Sequence, residues 1–264
     1  TENFYRHVAE SSLPLLALGV GHVDDVVPEW ILSIFRKALL TTVRAEKVGV
    51  ALESRFGVAA LRFPCPALFC VPCGEEKRIE SVRRVALVFG ASSRDSIPCQ
   101  EIADDACEFT MGFYRTLLER FRDRLDFSVV CHYIDELPAA FREFGNCGVD
   151  IRYSYDAQEY ANIYRTFDFV VSPRVHGCGI ASSLGIPSIH VSHDVLRSDT
   201  AEGFRARMLS TQTTLDEAVE AFRDELESAK ETNARLIERK AATFAEYADA
   251  VRKALKNASP VRYD

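Results

Sequence analysis

Apolar runs and segments of helical periodicity alternate along most of this chain. The first run, residues 13–21, is almost continuously apolar and ends in glycines, which is typical of a buried parallel strand. Pro28 opens a predicted helix to residue 40, because proline is favoured in the first helical turn. The pattern then predicts a short strand at 42–43, a helix over 45–56 ended by Gly57, and a strand at 58–61.

A second series of the same kind begins with the apolar run 85–90. Its strict alternation of strands and helices predicts a parallel sheet with right-handed crossovers. The predicted elements are helix 98–125, strand 127–133, helix 136–144, strand 151–154, helix 157–167, strand 169–172, a short helix starting near residue 178, and strand 188–192.

Composition indicates the domain boundaries. Residues 75–81 are charged and lack apolar periodicity, so we expect a boundary there. The sequence predicts a first α/β lobe over 1–78, a second over 79–210, and a helical segment over 211–264 that is broken near 232–233. The Glu, Lys and Arg residues of the last segment are typical of a solvated helix face.

The fold class that follows is α/β, with two Rossmann-like lobes of parallel sheet and long C-terminal helices. In such sheets, ligands bind beyond the carboxyl ends of the strands. The chain begins with Thr1 instead of Met, and its first strong element has the pattern of an interior strand. We therefore expect the N-terminal lobe to be incomplete in this sequence.

Composition also limits the class of function. The 264 residues are 47% hydrophobic and 27% charged, with a formal net charge of −7, which disfavours nucleic acid as a partner. No apolar run reaches the roughly 18 residues that a spanning helix needs. Eight cysteines in a chain without a signal peptide are typical of free thiols, so we expect a cytoplasmic protein.

Several common catalytic motifs are missing from the sequence. There is no phosphate loop of the G-x-x-x-x-G-K-[ST] type, no G-x-G-x-x-G and no G-x-S-x-G. Kinase, dinucleotide oxidoreductase and α/β-hydrolase functions are therefore disfavoured.

The loop after the predicted strand 169–172 carries the richest chemistry. Arg174 can bind phosphate or carboxylate through a guanidinium fork, and His176 can donate and accept a proton near neutral pH. Gly177, Cys178 and Gly179 open a small-residue helix whose first N–H groups favour an anion, and the glycines would allow a ligand close to the backbone. The alternative is structural: Arg174 in a salt bridge and His176 as a helix-cap residue.

This loop carries a family resemblance. Arg-x-His-Gly at 174–177, followed by a small-residue helix and Gly185-Ile186-Pro187, resembles the signature of the polysaccharide pyruvyl transferase family. Weaker similarities bring the resemblance to roughly residues 13–205; they are Leu18-Gly19-Val20-Gly21, Thr42-Val43-Arg44, Phe56-Gly57, Cys65-Pro66-Ala67 and the segments 157–160 and 167–172.

The resemblance implies a GT-B-like fold and a defined reaction. A pyruvyl group moves from phosphoenolpyruvate, without a cofactor, to two hydroxyls of one sugar and forms a cyclic ketal. The acceptor would belong to a cell-surface polysaccharide or its lipid-linked precursor, and a lipid-linked acceptor would bring the enzyme to the inner membrane face as a peripheral protein. Arg174 and the helix N-terminus suit the donor anion, and His176 matches the family's histidine as acid and base.

Four further residues are expected at the edge of the site. Arg94 follows the strand 85–89 and would be a second donor ligand, with a surface arginine as the alternative. His132 ends a strand and would line the site unless a carboxylate such as Glu136 satisfies it. His22 would reach a sugar hydroxyl, and Asp194 lies where the family has a Tyr-Asp-x-Lys pattern.

Metal sites are disfavoured. His190, His193 and Asp194 are close in sequence but lack a tight ligand spacing. The spacing of Cys65, Cys70 and Cys73, with Cys99 as the nearest fourth ligand, resembles that of a ferredoxin cluster, yet we expect free thiols there. No metal is therefore predicted.

Two other functions fit the same residues. A GT-B glycosyltransferase could hold the diphosphate of a nucleotide sugar with the same arginine and helix N-terminus. A non-catalytic relative could bind an anion there without turnover.

Overall fold

A computed structural model describes residues 2–21, 27–92, 95, 102–193 and 195–256. The chain forms two compact units: one contains Thr1–Pro66 and Ala241–Asp264, and the other contains Ala67–Lys240. These units differ from the expected segments, since the division falls at residue 66 instead of 78 and residues 211–240 belong with the larger unit.

The smaller unit has a three-stranded parallel sheet in the order β1-β2-β3. Val43, Val48 and Leu52 form its core, because the apolar face of α3 packs against β2. Gly57 ends α3 in the left-handed conformation, at φ 65°, as predicted. The elements are α1 (Glu2–Glu10), β1 (Leu15–Val20), α2 (Glu29–Lys37), β2 (Ala38–Val43), α3 (Glu46–Phe56) and β3 (Leu61–Arg62).

The larger unit contains a six-stranded parallel sheet in the order β6-β5-β4-β7-β8-β9. Its strands are β4 (Arg84–Val88), β5 (Asp126–Val130), β6 (Asp150–Arg152), β7 (Phe169–Ser172), β8 (Ser188–Ser192) and β9 (Arg207–Ser210). Its helices are α4 (Asp104–Phe121), α5 (Leu137–Phe144), α6 (Ala157–Arg165), α7 (Val175–Ser183), α8 (Val195–Gly203), α9 (Leu215–Glu227) and α10 (Ala229–Lys256), the last of which continues into the smaller unit.

Strand order places the topological switch point of this sheet. The chain builds outward from β4 to β6 on one side, then returns to β7 and builds to β9 on the other. The carboxyl ends of β4 and β7 are therefore the place where a ligand is expected. Tyr114 spans the same two strands, since its hydroxyl lies 2.7 Å from the carbonyl oxygen of Val88 and 2.9 Å from that of Val171.

Both faces of the sheet are covered, which explains why its strands are continuously apolar. Val85 and Leu87 pack into a cluster with α4 and α9, and Ala86 and Val88 face the other cluster, with α6 and α7. All four residues of β7 are buried.

Several predicted boundaries were wrong. β2 begins at Ala38, where a helix was predicted, and α7 begins at Val175 instead of near residue 178. Helices α1 and α8 and strand β9 were not predicted. The C-terminal helices are interrupted at Ser228 and not at 232–233, because Asn233 is buried within α10, where its amide donates to the carbonyl oxygens of Lys77 and Gly185.

Within the described parts of the chain, no helix is both long enough and apolar enough to cross a membrane.

Candidate functional site

The segment 173–176, which we call the β7–α7 turn, follows β7 at the switch point. Ser172 fixes it: the Ser172 Oγ accepts the Arg174 backbone N–H at 3.0 Å and donates to the Arg174 carbonyl at 2.7 Å. Arg174 has extended backbone angles and is the N-cap of α7. His176 consequently lies in the first turn of α7.

Arg174 forms a buried ion pair with Glu136. The Arg174 Nε lies 2.8 Å from the Glu136 Oε1 and 3.2 Å from the Phe89 carbonyl oxygen, and Nη2 also contacts Oε1. The guanidinium carbon lies 4.7 Å from the centre of the Tyr133 ring. Arg174 is 8% exposed and Glu136 is fully buried. The salt bridge that sequence analysis kept as an alternative for Arg174 is therefore present.

The other oxygen of Glu136 is satisfied by backbone. The Glu136 Oε2 accepts the N–H groups of His132 and Tyr133 at 2.8 and 3.1 Å. Burial raises the pKa of Glu136, while Arg174 and these N–H groups favour the carboxylate. Glu136 thus links the loop after β5 to the turn after β7.

His132 lies next to this pair. Its Nε2 is 2.7 Å from the Tyr164 hydroxyl, and its ring makes edge contacts with Tyr160 and Tyr164. Burial, followed by the nearby charges of Arg174 and His176, lowers the pKa of His132 to about 3. His132 is therefore a neutral imidazole at physiological pH.

His176 is the exposed member of the group. Its side chain is accessible to solvent, in contrast to Val175 and Gly177 on either side. Its charge influences His132, so the structure brings His132, Arg174 and His176 together. An exposed imidazole at the first turn of a helix can meet an anionic ligand and exchange a proton with it.

The small residues after His176 have packing roles. A Cβ added at Gly177 would lie 2.5 Å from the Ser172 Oγ and 3.1 Å from the Tyr164 hydroxyl, and one at Gly179 would lie 3.0 Å from the Phe204 ring. Cys178 is fully buried, and burial raises its pKa to about 12. Neighbouring protein atoms therefore occupy the space that a side chain at Gly177 or Gly179 would need, and the Cys178 thiol is inaccessible to a ligand.

Two more histidines contact backbone carbonyl groups at the end of β7 and the start of the turn. The His190 Nδ1 lies 3.1 Å from the Ser172 carbonyl oxygen, and the His193 Nε2 lies 3.2 Å from the Pro173 carbonyl oxygen. Through these contacts, both imidazoles help to hold the backbone where β7 passes into the turn. In the portion of the chain that the structure describes, no group of at least three His, Cys, Asp or Glu residues is arranged to hold a metal ion.

Three expected site residues, Arg94, His22 and Asp194, lie outside the described residues. The loop that leads toward Arg94 does approach the turn: a Cβ added at Gly90 would lie 2.8 Å from the Pro173 Cγ. Sequence reasoning had named Glu136 only as a partner for His132, and its ion pair with Arg174 had no signal in the sequence because 38 residues separate them.

In the smaller unit, three of the family-like segments converge. Gly19 has φ 72°, donates its N–H to the Thr42 Oγ1 at 2.8 Å, and packs against Pro66. The Arg44 guanidinium lies against Gly21, so a Cβ at this position would displace it. The Arg44 Nη1 is also 3.7 Å from the Cys65 sulfur, so this thiol lies beside an arginine.

Solved structures support the fold. The chain is similar to TarM, with a TM-score of 0.52 and 10% identity over 89% of this chain and 49% of TarM. It is also similar to S. aureus MnaA solved with UDP, with a TM-score of 0.56 and 13% identity over 99% of this chain and 72% of MnaA. The chain thus spans about half the length of TarM. These likenesses confirm the GT-B-like α/β fold class.

Sequence comparisons address the family. Comparison with curated proteins gives no significant match. The family model described as polysaccharide pyruvyl transferase matches residues 13–195, a range that contains the β7–α7 turn, His132 and Glu136. The chain therefore belongs to the polysaccharide pyruvyl transferase family.

Proposed function

We propose that this protein transfers a pyruvyl group from phosphoenolpyruvate to two hydroxyls of a sugar in a cell-surface polysaccharide or its lipid-linked precursor. The observation that carries the proposal is the position of His176: it is exposed, at the first turn of α7, beside Arg174 and His132 at the switch point of the sheet. Family membership supplies the class of reaction.

The chemistry asks for an anion site and a proton carrier. The donor has a phosphate and a carboxylate, which the N–H groups of the first turn of α7 and the charge of Arg174 would stabilise. Arg174 directs Nε and Nη2 at Glu136, so in this proposal it contributes its charge and its hold on the turn, with Nη1 as the group that would meet the donor.

The proposed reaction balances as follows. Four bonds break: two acceptor O–H bonds, the donor's C2–O bond to phosphate and its C=C π bond. Four bonds form: two C2–O bonds, one C3–H bond and one O–H bond on the released phosphate. One acceptor proton ends on C3 and the other leaves with phosphate. His176 would deliver the proton to C3 and accept one from a hydroxyl, and the cation-like centre at C2 would be favoured by the donor's own carboxylate.

Turnover in a His176→Ala variant tests the proposal. Phosphate release from phosphoenolpyruvate and ketal formation by mass spectrometry would be measured on a panel of oligosaccharides with terminal hexoses. We expect a loss of about 10²–10⁴-fold while phosphoenolpyruvate still binds. The exposed His7→Ala is the matched control and should retain full activity. Wild-type turnover in His176→Ala would contradict the assignment.

A second candidate is a glycosyltransferase that uses a nucleotide sugar. The likeness to MnaA, which was solved with UDP, favours testing it. Binding of UDP-sugars but not of phosphoenolpyruvate to the wild type would support this function. Binding of phosphoenolpyruvate without turnover on any acceptor would support a non-catalytic anion-binding role.

A further inference from the structure

Four arginines lie together at the amino ends of the strands of the large sheet, opposite the carboxyl ends where the β7–α7 turn lies. Arg205 and Arg207 lie at the amino end of β9, and Arg235 and Arg239 lie on α10. They line a cavity of about 450 Å³, which we call the arginine pocket. Because all six strands are parallel, the amino end of β9 faces away from the carboxyl ends where the turn lies. The lining residues are Arg205, Ala206, Arg207, Glu225, Thr232, Arg235, Leu236 and Arg239.

The α10 residues of this pocket lie on one helical face. Thr232, Arg235, Leu236 and Arg239 follow an i, i+3, i+4, i+7 spacing, which brings them to the same side of the helix. Leu236 is buried and anchors that face. Arg235 donates from Nη2 to the Thr232 Oγ1 at 3.0 Å, so one guanidinium is held by its own helix.

The positive charge in the pocket is poorly compensated. Glu225 is the only acidic lining residue, so the formal charge of the lining residues is +3 in a chain of −7. Arg207 and Arg235 favour the ionised form of Glu225, although burial raises its pKa. Within the described ranges, no carboxylate oxygen lies within 4.0 Å of any of these four guanidinium groups.

Arg239 is the clearest sign of a missing partner. Its Nη1 is buried, and no hydrogen-bond acceptor reaches it among the described residues. Burial and the charge of Arg205 both lower the pKa of Arg239. A buried donor without an acceptor is costly, and like charges held together add to that cost.

Arg205 also has an unusual backbone. Its φ is 59°, and no other non-glycine residue among those described has a positive φ. Strained backbone of this kind often occurs where a side chain must take a defined position for binding. The strain and the buried donor are independent observations on two different elements of one cavity.

We propose that the arginine pocket is a second binding site that takes a phosphate-bearing ligand. Guanidinium groups pair with phosphate oxygens through two parallel hydrogen bonds, and four of them can neutralise a phosphomonoester or diphosphate. The cavity volume is within the range of small-molecule sites, and its few apolar side chains leave recognition to charge. The phosphate can belong to a soluble compound or to a lipid headgroup.

Pyrophosphate binding by titration calorimetry tests the site. We expect the wild type to bind, Arg239→Gln to bind about tenfold or more weakly, and Arg223→Gln to match the wild type. Arg223 is the matched control because it lies on α9, outside the pocket, and its substitution changes the net charge equally. His176→Ala should keep the binding, which separates this site from the β7–α7 turn. No pyrophosphate or vesicle binding by the wild type, equal binding by wild type and Arg239→Gln, or loss of binding in His176→Ala would overturn the proposal.

Vesicle sedimentation distinguishes the two sources of phosphate. Phosphatidylcholine vesicles with and without phosphatidic acid would be compared for the wild type and Arg239→Gln. Sedimentation that requires both phosphatidic acid and Arg239 identifies a lipid headgroup. Pyrophosphate binding that requires Arg239 without sedimentation identifies a soluble ligand, and either result supports the site.

Discussion

Arginine side chains lie at both ends of the strands of the large sheet, at the β7–α7 turn and in the arginine pocket. At the β7–α7 turn, Arg174 is paired with Glu136, and Glu136 is in turn satisfied by two backbone N–H groups. In the arginine pocket, Arg239 buries a donor with no acceptor among the described residues. The protein itself supplies the partners of Arg174 and Glu136, and this pair holds a turn in place. The buried donor of Arg239 gains a partner only when an anion binds. Burial of a cation alone therefore does not identify a binding site. A buried cation indicates a site for an anion when the protein supplies no partner for it.

The largest expected effect on stability comes from breaking the Arg174–Glu136 ion pair. Arg174→Ala would leave the fully buried Glu136 without its cation, so we expect the free energy of unfolding to fall by about 3–5 kcal/mol. The double variant Arg174→Met with Glu136→Gln removes both charges and keeps the acceptor for the backbone N–H groups. Urea unfolding should show that it recovers most of the loss, and a double variant as unstable as the single one would contradict the role of the pair.

The neighbouring imidazole gives a pH dependence. The folded-state pKa of His132, about 3, is below its unfolded value of about 6.5. Below about pH 6.5 the unfolded state therefore binds a proton at this imidazole, whereas the folded state remains unprotonated there until about pH 3. Stability should fall as pH decreases from about 6.5 toward 3, by up to about 1.4 kcal/mol per pH unit from this group. His132→Asn should flatten the slope measured by urea unfolding, and the exposed His7→Asn should not. Equal slopes in wild type and His132→Asn would refute the shift.

A smaller effect tests the packing of α7. A methyl group at Gly177 would collide with the Ser172 Oγ, so Gly177→Ala should cost about 1–3 kcal/mol. Gly112 lies inside α4 with only the Leu215 side chain nearby, at 3.7 Å, so Gly112→Ala should instead add up to about 1 kcal/mol. Thermal unfolding separates the two, and a Gly177→Ala variant as stable as the wild type would contradict the tight contact.

The smallest expected effect concerns the unpaired donor of Arg239. Arg239→Met removes the unpaired donor and keeps the apolar stem, so without ligand its cost should be near zero or a gain of up to about 1 kcal/mol. Arg174→Ala, measured in the same buffer, should be strongly destabilised. A large loss of stability in Arg239→Met would mean that Arg239 has a structural partner and that the two regions do not differ in this way.

Local signals predicted much of the fold. The limits of β7 and β8 and the Gly57 end of α3 agree with the prediction, because apolar strands between turn residues and a glycine cap are encoded within a few residues. The start of α7 was misplaced because glycines and small residues weaken the helical pattern, and packing overrides it. β2 was missed in part because 38–40 fit a helix as well as a strand.

The candidate site was predictable only in part. Arg174, His132 and His176 were named from sequence, and the structure brings them together because β5 and β7 flank β4. The partner of Arg174 was not predictable, since the pairing depends on strand order and on a bend after β5. The arginine pocket was not predicted from the sequence for the same reason. It is formed by a strand and a helix whose residues are about thirty positions apart in the chain.

We propose that the β7–α7 turn holds phosphoenolpyruvate, and calorimetric titration tests this binding directly. The titration would use the wild type, Arg174→Met with Glu136→Gln, and Arg239→Gln. We expect saturable binding to the wild type, clear weakening in the double variant, and unchanged binding in Arg239→Gln. Binding that survives in the double variant but disappears in Arg239→Gln would contradict this proposal and would assign the donor to the arginine pocket.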